Sequence, residues 1–224
     1  HGSLAEINAT PDVGYSFSGW TGEGIGDPNA ASTMVEMSQD RTISAVFTLN
    51  QYSLTLLKGS GGTVTGEGNF THGSTASISA TPDEGYIFRG WAGFGANDQN
   101  ATSTTISMTQ NRTVTALFEL KNYFLNLDSN LGGNTLGAGN YNHGELVAIT
   151  ATPENGYQFE SWSGDVDGNL SSPVRTILMD SNKSITANFI EVEKNHSVLS
   201  IQSNPPNGGY SLGAGSYLAN TSVP

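Results

Sequence analysis

The residues best suited to chemistry in this chain come in threes. Trp20, Trp91 and Trp162 are its only tryptophans and stand 71 residues apart, which would set one ring per segment for stacking on the apolar face of a sugar. Weak contacts of that kind, multiplied along an array, can hold a polysaccharide without a deep pocket. His1, His72 and His143 keep the same interval, each before a glycine. With no second His or Cys near any of them in sequence, they do not assemble a zinc site. Asp165, Asp167 and Asn169 carry the alternating oxygen donors that open a calcium loop, but the distal Glu that would complete an EF-hand is missing. The corresponding loops hold Asp27 and Asn29, or Asn97 and Asp98, which favours a solvated loop over a calcium site. No Gly-x-Ser-x-Gly elbow, P-loop or recurring pair of carboxylates is found, so the segment is expected to be non-catalytic, with no cofactor and calcium as the sole candidate ion.

The elements that position these residues repeat with them. Gly14–Trp20 reads GYSFSGW, Gly85–Trp91 reads GYIFRGW and Gly156–Trp162 reads GYQFESW. A fixed period of this length marks a tandem array of small domains. The units are a partial repeat at 1–50, complete repeats at 51–121 and 122–193, and the start of a fourth at 194–224. Apolar residues alternate along each segment, as in Ala76, Ile78 and Ala80 or Val147, Ile149 and Ala151, which is the period of a half-buried strand. No ten-residue stretch has helical periodicity. The fold class is therefore all-β, with small units of five main strands that close two layers on one core, as a small sandwich or a helix-less β-grasp-like unit.

Turn residues divide the strands. Thr10–Gly14, Thr81–Gly85 and Thr152–Gly156 join Pro to Gly and read as hairpin connections, as do the short polar links Ser38–Arg41, Thr109–Arg112 and Asp180–Lys183. Gly61-Gly62, Gly132-Gly133 and the Gly-x-Gly-Asn segments after them read as turns or bulges. Strict alternation puts Trp91 on the face of Ile87 and Arg89, away from Tyr86 and Phe88. Either a bulge at Gly90, Gly19 or Ser161 turns each Trp inward, or one ring per unit stays exposed. Of the 20 aromatic residues, all but Phe94, Phe124 and Tyr210 recur between units, which favours core packing.

A net charge of −12 repels phosphate backbones, so nucleic acid is not an expected partner. The lack of cysteine removes disulfide scaffolds and thiol chemistry. No run of about 18 apolar residues is present for insertion into a membrane. Residues 1–50 lack an opening strand, and 194–224 offer one without a sheet, after an insertion at Asn204-Pro205-Pro206-Asn207. Strand addition between neighbours would give head-to-tail self-association.

The ordered pattern G-G, G-x-G-x-[FY], H-G, A-T-P-x-x-G-Y-x-F-x-x-W, x-M and A-x-F, covering nearly the whole chain, resembles the divergent internalin-B-type B-repeat of bacteria. The resemblance implies an extracellular or cell-surface location in a secreted or surface protein. There such repeats act as stalk or adhesin segments, with flanking domains of the same polypeptide as partners and no catalytic residues of their own. A host-surface glycan or polysaccharide bound through the tryptophans is the alternative.

Overall fold

A computed structural model describes residues 2–193, 196–202, 209, 212 and 214–218. The expectations placed on His1, on the insertion at residues 204–207 and on Tyr210 lie outside these residues. Every regular element among the described residues is a strand. The first repeat supplies β1 (Ser3–Asn8), β2 (Tyr15–Thr21), β3 (Ser32–Met37) and β4 (Ser44–Leu49). The second supplies β5 (Gln51–Lys58), β6 (Gly62–Thr65), β7 (Gly68–Thr71), β8 (Ser74–Pro82), β9 (Tyr86–Ala92), β10 (Ser103–Met108) and β11 (Arg112–Leu120).

These seven strands build a two-layer sandwich. One sheet has the order β7-β5-β11-β9 and the other β10-β8-β6. Membership alternates strictly along the chain, odd strands in one layer and even strands in the other. All ladders are antiparallel except β5 with β11, which run parallel from Arg112 opposite Leu54 to Ala116 opposite Lys58. Facing rows of apolar residues fill the space between the layers. Leu54, Leu56, Ala76, Ile78, Ile106, Met108, Val114 and Ala116 are all buried there, each large side chain contributing on the order of 2 kcal/mol through the apolar area it removes from water.

The third repeat forms the same sandwich in a separate compact unit that begins at Asn122. Its strands are β12 (Asn122–Ser129), β13 (Gly133–Leu136), β14 (Gly139–Asn142), β15 (Leu146–Pro153), β16 (Tyr157–Gly164), β17 (Val174–Leu178) and β18 (Lys183–Glu191). The orders are β14-β12-β18-β16 and β13-β15-β17, with β12 and β18 parallel. Its core of Leu125, Ile149, Trp162, Met179, Ile185 and Phe189 repeats the second one position by position.

The first repeat pairs β1 with β3 and β2 with β4, one ladder for each layer. Val35 is its one buried core residue among those described, while Met34, Phe47 and Leu49 stay partly open to solvent. Beyond the third repeat, β19 (His196–Leu199) and β20 (Gly215–Leu218) pair antiparallel with Leu199 opposite Gly215. That register reproduces Leu54 opposite Gly68 in the β5–β7 ladder.

Two expectations are corrected here. The Ala-Thr-Pro and short polar links do not close hairpins: β8 and β9, and likewise β10 and β11, lie in opposite layers, so each link carries the chain across the core. The reversal itself is as expected, with Tyr86 N donating to Asp83 O at 3.0 Å around Gly85. The glycine-containing segments after β5 and β12 are more than turns. They form the short strands β6, β7, β13 and β14, which raises the unit from five strands to seven.

Candidate functional site

The tryptophans sit at a bulge. In the β9–β11 ladder Phe118 faces Phe88 and Leu117 faces Gly90, so Arg89 is an extra residue and the side chains after it change face. The same step occurs between Phe17 and Gly19 and between Phe159 and Ser161. Each Trp is thereby turned inward. Trp91 and Trp162 are 3% and 1% exposed and Trp20 is half-buried. Trp91 lies 5.5 Å from Phe88 between ring centroids, and Phe88 lies 5.9 Å from Phe118, both edge to face. In the two complete sandwiches the rings present no face on which a sugar could stack.

What the tryptophans hold is the loop that follows them. Trp91 Nε1 donates to Ala101 O at 3.0 Å while its main-chain N donates to Gln99 O at 2.7 Å. Trp20 does the same to Ala30 and Pro28, and Trp162 to Ser172 and Leu170. An Asx turn shapes each loop at one equivalent position: Asp27, Asp98 and Asn169 accept from the main-chain N of Asn29, Asn100 and Ser171. Loops that differ in sequence thus hang from one frame, with Phe94 88% exposed on the second.

Asp165, Asp167 and Asn169 are placed apart in their roles. Asp165 accepts from Ser184 N at 2.9 Å, and the Asn169 amide oxygen is committed to Ser171. The Arg175 guanidinium donates to Asn169 O at 2.6 Å and also to Asp167 O, which clamps the main chain of the loop. Among the described residues no group of three or more His, Asp or Glu converges as a metal site. Beside this loop lies an open cleft of about 240 Å³ lined by Asp165, Asp167, Arg175, Asp180 and Lys183. Lys183 hydrogen-bonds Asp180 at 2.8 Å and holds that carboxyl below its ordinary value. Replacing Arg175 with alanine is expected to speed protease nicking between residues 165 and 172 at unchanged melting of the rest of the sandwich. Equal nicking rates would remove its assigned role as the loop's clamp.

Charge elsewhere is sparse and superficial. Arg89 and Glu119 pair at 2.5 Å across β9 and β11, and the guanidinium holds the Glu119 carboxyl below the usual range. Both side chains are exposed, so solvent screens the pair.

His72 packs edge-on to Tyr52 at 5.9 Å and His143 lies tilted against Tyr123 at 6.0 Å, and among the described residues neither belongs to a group of three or more metal-ligating side chains. His72 also covers Gly14 of the preceding repeat so closely that a Cβ there would fall 2.2 Å from the ring. Only Asn50 separates β4 from β5. Its N donates to Gly14 O and its O accepts from His72 N, both at 2.8 Å, so one residue is tied to the repeat on each side. Sequence reading missed this joint, because a main-chain link leaves no mark in residue type. It also passed over Asn111 and Asn182, whose side-chain oxygens accept from Ser53 N and Phe124 N at 2.9 Å; their recurrence at one phase was the available signal.

A model of the divergent InlB B-repeat domain matches residues 1–51, 52–122 and 123–193. Neither the curated proteins nor the solved structures contain a match to the chain.

Proposed function

The chain belongs to the divergent InlB B-repeat family, and from that membership we propose that it is a non-catalytic spacer segment of an extracellular bacterial protein, holding other domains of its polypeptide at a distance. The observation that carries this reading is the joint at Asn50. A spacer needs connections that resist bending, and a one-residue link bonded to both neighbours and covered by the His72–Gly14 contact leaves little freedom. Flexible linkers, by contrast, run to many residues rich in Gly and Ser. The inward turn of the tryptophans supports the same reading, since it assigns the recurring aromatics to the core.

Small-angle scattering tests it. A single compact body of this length would have a radius of gyration of roughly 17 Å. The spacer reading expects a value well above that, with a pair-distance distribution skewed to long distances. A globular profile near the compact value would end it.

A further inference from the structure

A spacer outside a cell carries tension when whatever it displays is pulled, and the topology of the complete repeats bears on how they respond. The chain enters the second sandwich through β5 and leaves through β11, and these two strands are neighbours in one sheet. They run parallel over five register positions, Leu54–Lys58 beside Arg112–Ala116. The third sandwich has the same pair, β12 with β18, from Leu125 opposite Lys183 to Ser129 opposite Ala187.

Orientation decides how such a ladder breaks. In a parallel pair, the start of one strand and the end of the other lie at opposite ends of the ladder. Pulling them apart slides the strands along each other, so every hydrogen bond of the overlap carries load together. In an antiparallel pair the same two points lie at one end, and the bonds open one after another. A single backbone bond adds little by itself, so the gain comes from simultaneous loading.

Three further features reinforce the overlap. Asn111 and Asn182 stand immediately before the leaving strands and accept from Ser53 N and Phe124 N, which adds one more bond at the loaded end of each ladder. Leu54, Leu56, Val114 and Ala116 lie under the ladder at 7% exposure or less, so one side is closed to the water that would replace strained bonds. On their opposite edges β5 is held by β7 and β11 by β9, so neither strand can peel away freely.

We propose that each complete repeat is a force-bearing module whose entering and leaving strands form a shear clamp, making the segment a mechanical tether as well as a spacer. The proposal rests on the spacer reading for its biological setting, but its mechanics are tested separately. Because the chain has no cysteine, handles for single-molecule pulling can be attached at chosen sites on the full chain. Gln51→Cys with Lys121→Cys loads the clamp along its length. Gln51→Cys with Thr71→Cys grips residues directly opposite each other at one end of the antiparallel β5–β7 ladder and unzips it.

The clamp direction is expected to rupture at a force several-fold higher than the unzipping direction in the same folded protein, with a length gain of roughly 200–250 Å for the 71 residues released. Equal rupture forces along the two directions, or a weaker clamp direction, would overturn the proposal. Asn111→Ala is expected to lower the clamp force and leave the unzipping force unchanged; an equal drop in both would reduce that residue to a general stabiliser. A globular scattering profile would remove the spacer reading and leave this force ratio standing, so the two failures can be told apart.

Discussion

Replacing Trp91 with alanine is expected to unfold the second sandwich at temperatures where the third remains folded. The ring is 3% exposed, packs on Phe88, and holds the loop that follows it through Ala101 O. Truncating a buried Trp typically costs about 3–5 kcal/mol, and a unit of this size is stabilised by only about 4–10 kcal/mol in total. The loss therefore takes at least about a third of the margin and at the upper end all of it. Trp91→Phe keeps much of the packing and loses the Nε1 donor, so it should cost less, about 1–2 kcal/mol. Denaturant unfolding followed by circular dichroism, with Trp162 fluorescence in a Trp20→Phe background reporting the third sandwich, separates the two units. If Trp91→Ala melted as the parent does, the inward position of the ring would be wrong.

Gly66→Ala is expected to destabilise the same sandwich by about 3 kcal/mol. Its φ is +111°, and an added Cβ would stand 2.2 Å from the main-chain oxygen of Ser77 on β8. A backbone atom in a paired strand cannot move aside as a side chain can. Gly73→Ala is the control, because its φ is +78° but nothing lies within 4 Å of the added carbon. It should show only the cost of the left-handed backbone, about 1 kcal/mol. Equal losses in the two variants would mean that β8 yields and that the close approach at Gly66 is not required.

The apolar faces of the strands were legible because a strand states its orientation in every second residue. Ile78, Ile106, Val114 and Ile185 are buried as their alternation requires. Alternation could not settle Trp91, since one extra residue at Arg89 exchanges the two faces and leaves no unique mark in composition. Layer assignment was also hidden. A turn sequence such as Thr-Pro-Asp-Glu-Gly specifies that the chain reverses, but not which strand it meets afterwards, and here it meets one in the other sheet. The Asx turns explain why acidic and amide residues recur in the loops. Asp98 and Asn169 stand at one phase of the repeat and cap the same turn, which accounts for a donor pattern that otherwise suggests calcium.

Strict alternation between layers also bears on how the array is made. No two consecutive strands of a sandwich are ladder partners, so no local hairpin is available to start the process. The nearest partners in sequence are as distant as Leu54 and Gly68, and the β5–β11 ladder waits until almost the whole repeat has been synthesised. Topologies dominated by such distant pairings acquire their structure slowly. A ribosome would therefore release a repeat still open while the next, with strands of the same pattern, is emerging beside it. Exchange of strands between neighbours is the characteristic error of such arrays.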